Sequence, residues 1–345
     1  MIEVKNLTKK YGANVAVDDV SFKIRNGMIY GFLGPNGAGK STTMNIITGS
    51  LAATSGNVLI NGCDICDDPI EAKKQIGYLP EIPPLYADMT PEEYLYFVAE
   101  AKGVKQNRIE KQVNEVMEQT GITHIKSRLI SGLSKGYKQR VGIAQAMLGD
   151  PEIIILDEPT VGLDPQQIIG IRSLIRELGQ TKTVILSSHI LAEIREVCDH
   201  IIIISRGKIV ADSSLEELEN RAGDGATLHM SIKGVKKTIL EVIETYPNIR
   251  ACRVLSEKDG IVELELDLPR GVDIRDELFF AMAEKRCAVI NVEQKSANLE
   301  QVFLSLTEKT QGTPSKRALR DKKRREKMLG NVAESTATQD GGDAQ

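Results

Sequence analysis

The chain has 345 residues, of which 41% are hydrophobic and 27% charged, and its formal net charge is -4. That length exceeds one ordinary domain, so two domains and a tail are expected. An acidic body argues against a protein built to wrap nucleic acid, and no apolar run approaches the roughly 18 residues of a membrane span.

The first stretch, MIEVKNLTKKYG, is polar and reads as a strand, not as a secretory signal. Cys63 and Cys66 form a C-x-x-C with no second pair or nearby His to complete a zinc site. The five cysteines are therefore read as reduced and structural. These features predict a cytosolic chain, with any membrane span on another chain.

Residues 1–33 alternate and then run apolar, which predicts antiparallel strands leading into a buried strand at Met28–Leu33. Tyr11 is open to two readings: a ring stacked on a base, or a strand-end tyrosine packed locally. Gly34–Ser41 is GPNGAGKS, the G-x-x-x-x-G-K-[ST] phosphate-binding pattern, with strand before it and helix after it. Its glycines let the loop curl and aim N–H groups at phosphate oxygens, and the helix N-terminus adds positive potential. In that pattern Lys40 reaches the β/γ-phosphates and Ser41 ligates Mg²⁺.

Gly56–Gly62 reads as strand plus turn, and Lys74–Glu81 as a strand entering a proline-rich loop. Thr90-Pro91-Glu92-Glu93 is a helix start. Arg108–Thr120 is amphipathic and Gly121 ends it, and a further helix starts at Ser134. Ile153–Leu156 is apolar on both faces, as in a covered parallel strand, and ends in Asp157-Glu158. An aspartate there stands beside Mg²⁺, and Glu158 faces the attacking water. Helix 165–179, strand 183–189 ending in His189, helix 190–199 and strand Ile201–Ser205 follow. Gly34, Asp157, Glu158 and His189 all fall at carboxyl ends of strands, where such sheets bind ligands.

After about residue 225 the pattern becomes strand 227–233, helix 235–246, strand 250–256, strand 261–268, helix 273–286 and strand 288–294. That β-α-β-β-α-β order is ferredoxin-like. A short amphipathic helix, Asn298–Leu306, is expected to close this unit. From Lys309 onward the chain reads as a disordered tail. Lys316–Lys327 holds eight basic and two acidic residues. It has three readings: a solvated segment, a hold on anionic lipid, or a nucleic-acid contact.

Leu133-Ser134-Lys135-Gly136-Tyr137-Lys138-Gln139-Arg140, just upstream of the Asp-Glu strand, resembles the signature segment of ATP-binding cassette (ABC) ATPases. The resemblance covers residues 1–220, with the family's motifs in the family's order. It implies an α/β P-loop NTPase of the ABC nucleotide-binding type, a mixed sheet core plus a helical subdomain at about 85–148. The small α+β ferredoxin-like domain at 225–308 is similar to the accessory domain of the exporter branch that handles drugs, polysaccharides or gliding-motility components. A disordered tail at 309–345 completes the expected organisation.

The resemblance implies ATP and Mg²⁺ as ligands. ATP would contact Tyr11, Gly34, Asn36, Gly37, Ala38, Gly39, Lys40, Ser41, Thr42, Ser134 and Gly136, with Tyr11 stacked on adenine. Mg²⁺ would meet Ser41, Asp157 and Glu81. Glu158, His189 and Lys40 would be catalytic, and Gly162-Leu163-Asp164 would touch a partner subunit. Two departures stand out: Lys135 and Tyr137 replace a glycine and a glutamine of the signature, and Glu81 replaces a glutamine.

In the family ATP lies between the phosphate loop of one subunit and the signature of another. The implied partners are thus a second nucleotide-binding subunit, identical or not, and integral membrane permease chains. Segment 85–148 is the expected docking surface, and the expected location is the cytoplasmic face of the membrane. The rival reading is a soluble ABC ATPase acting on ribosome or nucleic acid.

Overall fold

The computed structural model describes residues 1–221, 225–269 and 272–296, together with residues 303, 306 and 307. The chain opens with an antiparallel pair, β1 (Ile2–Tyr11) and β2 (Asn14–Ile24), and then enters β3 (Ile29–Leu33) and α1 (Lys40–Ile47). Next come β4 (Ser55–Ile60), β5 (Cys63–Asp64), α2 (Pro69–Lys74) and β6 (Ile76–Leu79). α2 was not expected from the sequence. Asp68 starts it by accepting from Glu71 N, with Pro69 in its first turn.

Three helices follow: α3 (Pro91–Ala101), α4 (Gln106–Gln119) and α5 (Lys135–Met147). Thr90 and Glu93 close a reciprocal capping box at the start of α3. Ser134 caps α5 through Tyr137 N. The chain then alternates as β7 (Ile153–Asp157), α6 (Pro165–Gly179), β8 (Thr183–Ser188), α7 (Leu191–Val197), β9 (His200–Ser205), β10 (Lys208–Ser214) and α8 (Leu215–Arg221).

The central sheet runs β10-β9-β3-β8-β7-β6. All its neighbours are parallel except the edge pair β10 and β9. Its inner strands β3, β7, β8 and β9 are buried almost throughout because both faces are covered, whereas the edge strand β10 exposes Lys208 and Asp212. The period of two divides the inner strands cleanly. Ile154, Leu156, Val184, Leu186, Ile201 and Ile203 join a cluster with α3–α7. Ile153, Ile155, Ile185, Ile202 and Ile204 face a second cluster, built with α1 and the antiparallel sheet β2-β1-β4-β5.

The remaining elements are β11 (Gly225–Lys233), α9 (Lys236–Glu244), β12 (Ala251–Lys258), β13 (Ile261–Pro269), α10 (Arg275–Glu284) and β14 (Ala288–Ser296). They form an antiparallel sheet ordered β12-β13-β11-β14, the ferredoxin-like arrangement. Leu228, Met230, Ile232, Leu264 and Leu266 on one face pack against Ile239 and Val242 of α9 and Leu278 and Met282 of α10.

The expected helix Asn298–Leu306 lies largely outside the described residues. Phe303 and Leu306, which are described, pack against the cluster that holds α3–α7 and Leu218, not against the cluster of the ferredoxin-like sheet. These two side chains tie the end of the described residues to the first part of the protein. The five cysteines are free.

Candidate active site

β3, β7 and β8 lie parallel, with Leu33 paired to Ser188 and Asp157 to Ser187. Their carboxyl ends therefore bring Gly34, Asp157, Glu158 and His189 to one edge of the central sheet. The phosphate-loop sequence fills the gap between β3 and α1. A Cβ on Gly34 would stand 2.3 Å from Ile204 O, so only glycine lets the loop leave the sheet here. Gly39 sits at φ +110, and a Cβ on it would stand 2.6 Å from Ala16 O. Gly39 also starts α1, which has neither a side-chain cap nor an acid in its first turn. The uncapped N–H groups and the helix dipole are thus left for an anion.

A cavity of about 390 Å³ opens over this loop. Asn36, Gly37, Gly39, Lys40, Ser41 and Thr42 line it together with Glu81, Glu158 and His189. Ala16 and Val161 also line it and were missed, because neither carries a chemical signature in sequence. Gly34 and Ala38 stand behind the lining, Ala38 being buried.

The charged groups of the cavity are already connected. Lys40 Nζ donates to Gly34 O at 2.8 Å and lies 3.3 Å from Glu158 Oε1, with both side chains under a tenth exposed. Glu158 Oε2 lies 3.0 Å from His189 Nδ1. Glu158 therefore bridges the loop lysine and the strand-end histidine. It does so from a left-handed backbone at φ +49, uncommon for a residue with a Cβ and typical of functional sites.

Asp157 is 2% exposed and sits beneath the cavity. Ser41 Oγ donates to its Oδ1 at 3.4 Å, and Ser187 Oγ donates to the same atom. Ser187 Oγ also accepts from Glu158 N at 2.9 Å. This hydroxyl joins both acids, yet Ser187 was not singled out from sequence. A serine at the buried end of an apolar strand was the available signal. Burial first, then the charges of Asp157 and Glu81, push the Tyr78 phenol above its usual range. Both carboxylates thus act on one point below the loop.

Three expected contacts lie apart from this cavity. Tyr11 is half exposed at the tip of the β1–β2 hairpin, with the Lys9 ammonium 5.3 Å from its ring centroid. It is not among the lining residues. Ser134 and Gly136 are not among them either. A Cβ on Gly136 would stand 2.4 Å from Gln167 Oε1, so the signature turn is pressed against α6.

Residues 17–161 match the family model described as ABC transporter. The chain is 32% identical over 315 residues to the linearmycin resistance ATP-binding protein LnrL of Bacillus subtilis, spanning 90% of this chain and 99% of that protein. The chain belongs to the ABC transporter ATP-binding proteins. A second relative of this ABC ATPase is the bacitracin transport ATP-binding protein BcrA of Bacillus licheniformis, 35% identical, with 89% of this chain and 97% of that one covered.

Among solved structures, an ATP-binding subunit of an ABC transporter matches at TM-score 0.59 and 34% identity, covering 64% of this chain and 92% of the other. A dimeric cassette in a post-hydrolysis state, bound to ADP and phosphate, matches at TM-score 0.57 and 29% identity. That match covers 62% of this chain and 99% of the cassette. The ABC ATPase binds and hydrolyses ATP. No helix among its described residues is long and apolar enough to cross a membrane.

Proposed function

We propose that this ABC ATPase works as one of a pair of cassettes that drives export through permease subunits on separate chains, at the cytoplasmic face of the membrane. Residues 1–220 form the ATPase unit, with segment 85–148 as the permease-docking part, and 225–308 form the accessory unit. One observation carries the pairing. Ser134 and Gly136 stand outside the cavity that holds Lys40, Glu158 and His189. A second chain, presenting its own Ser134-Lys135-Gly136, completes the site over ATP. Identical chains would pair about a two-fold axis. The names of the two Bacillus relatives, linearmycin resistance and bacitracin transport, support export as the direction.

The chemistry follows from the residues at the cavity. Gly34–Thr42 hold the phosphates through N–H groups and the dipole of α1, and Tyr11 takes the adenine. Lys40 and His189 meet the γ-phosphate. Glu158 takes a proton from the water that attacks the γ-phosphorus, and the bond to the β-phosphate oxygen breaks, leaving ADP and phosphate. The Ser41 hydroxyl and the Asp157 and Glu81 carboxylates are hard oxygen donors suited to Mg²⁺. When bound, Mg²⁺ supplies charge neutralisation at the phosphates.

The test uses Glu158→Gln protein with ATP and Mg²⁺. Its mass by size-exclusion chromatography should double, and adding Ser134→Asp should abolish the doubling. A protein that binds ATP and stays monomeric overturns the paired site. The same Glu158→Gln protein, tagged and recovered from solubilised membranes, should bring down a multi-span membrane chain. Ribosomal proteins or nucleic acid in its place would favour the soluble reading.

A further inference from the structure

A second cavity, of about 500 Å³, lies away from the phosphate loop, where α2, the α3–α4 turn and the end of α5 meet. Its charged lining is of one sign. Lys73 and Lys74 of α2 and Lys102, Lys105 and Arg108 around the turn reach it, and no carboxylate lines it. Lys74 is paired with Glu71, while among the described residues Lys73, Lys105 and Arg108 have no ion-pair partner. Ile70, Ile76, Val104 and Leu148 give the cavity apolar walls.

Two further observations shape this site. α4 begins at the cavity, and its N-terminus has neither a side-chain cap nor an acid in the first turn. The helix dipole adds positive potential where Lys105 and Arg108 stand. The floor is also built. Lys102 Nζ donates to Gln145 O, Ala146 O and Leu148 O at 2.6, 3.3 and 3.0 Å, which fixes the end of α5. Cations crowded without counter-charges repel one another, and an anion relieves that repulsion.

We propose that this cavity is a binding site for a phosphate-bearing ligand, separate from the nucleotide site and recognised by Lys73, Lys105 and Arg108. Arg108 offers the planar fork that suits phosphate oxygens, and the two lysines act as point charges. The apolar walls accept a hydrocarbon portion next to the phosphate. An occupant would tie α2, the α3–α4 turn and α5 together. α5 starts at the signature Ser134, so occupancy would act on the helix that carries the signature.

The phosphate could belong to a soluble anion or to a lipid headgroup, and two probes separate these sources. Inorganic pyrophosphate is titrated calorimetrically into the full-length protein with the phosphate loop saturated by ADP. Vesicles of phosphatidylglycerol or of phosphatidylcholine are used in flotation. Each probe is applied to wild type and to Lys73→Gln/Lys105→Gln/Arg108→Gln. The expected result for a soluble anion is one pyrophosphate per chain, weakened at least ~10-fold in the triple variant. For a lipid phosphate, phosphatidylglycerol alone recruits wild type and fails with the triple variant. Binding that is equal in both proteins, as the 316–327 segment would give, overturns the site, and so does no binding of either probe. Basal ATP hydrolysis should be unchanged in the triple variant. If that variant does not fold, Arg108→Gln alone, on the exposed first turn of α4, repeats the comparison.

Discussion

Lys40 Nζ stands 3.3 Å from Glu158 Oε1, and the two buried side chains hold each other across the nucleotide cavity. The lysine that should meet phosphate is occupied by the carboxylate that should meet water. Phosphates entering the loop would compete with Glu158 for the ammonium, and Glu158 would be released toward the water. Loading and arming of the proposed base would thereby be one exchange of partners.

Glu158→Gln tests that exchange. The amide cannot take the proton from water, so turnover should fall by about 10²–10⁴-fold, the usual worth of a general base. Glutamine also frees Lys40 from a charged partner, so ATP affinity should be kept or rise. Single-turnover hydrolysis and equilibrium ATP binding read the two effects separately. A variant with near wild-type turnover removes Glu158 from its role.

Ser187→Ala removes the hydroxyl that touches both acids. Asp157 loses a donor, and the buried Glu158 N–H loses its acceptor. Leaving one such group unsatisfied costs about 1–3 kcal/mol. Because Glu158 is held in a left-handed backbone, its carboxylate should also lose its aim. We expect kcat to fall with KM for ATP nearly unchanged, alongside a lower urea midpoint. An equal rise in KM with kcat intact would mean that Ser187 serves ATP binding and not the placement of Glu158.

Much of this site was legible because its chemistry is local. The loop glycines, Lys40 and Ser41 are consecutive, and Asp157, Glu158 and His189 each end an apolar strand, so a parallel sheet had to gather them. The ferredoxin-like order was equally legible from alternating strand and helix patterns. What escaped needed tertiary knowledge. Ser187 matters through its register with Asp157, and Ala16 and Val161 only through where their backbones pass. α2 was too short for a helical period to show. Amphipathicity said that Phe303 and Leu306 need cover, but not which cluster provides it.

Gly77→Ala tests the packing between sheet and helices. A Cβ there would stand 2.0 Å from Ala146 O on α5, a backbone atom that cannot swing aside. Overpacking of this kind costs about 1–3 kcal/mol or more. Chemical denaturation should show the loss. Gly12→Ala, where a Cβ meets nothing within 4 Å, should show only the smaller strain of its φ of +59. Equal losses at the two positions would mean that α5 gives way to the new Cβ at little cost, since Gly77 does not share the positive φ of Gly12.

The pH dependence of stability should carry a signature of Lys102. The residue is exposed as a whole, but its ammonium is turned onto three carbonyls at the end of α5, and desolvation there lowers its pKa to about 8. An unfolded chain keeps this proton up to the ordinary lysine value of 10.5. Between those values the unfolded state binds more protons than the folded state, so the contribution of Lys102 to stability rises with pH. Below about 8 both states are charged, and the desolvation cost is constant. Lys102→Met removes the titration together with the three hydrogen bonds. Urea midpoints at several pH values from neutral to about 10 should show wild type gaining on the variant through this window. Parallel profiles would mean that the ammonium is as well solvated in the folded protein as in the unfolded chain, and that its three carbonyl partners replace the lost water in full.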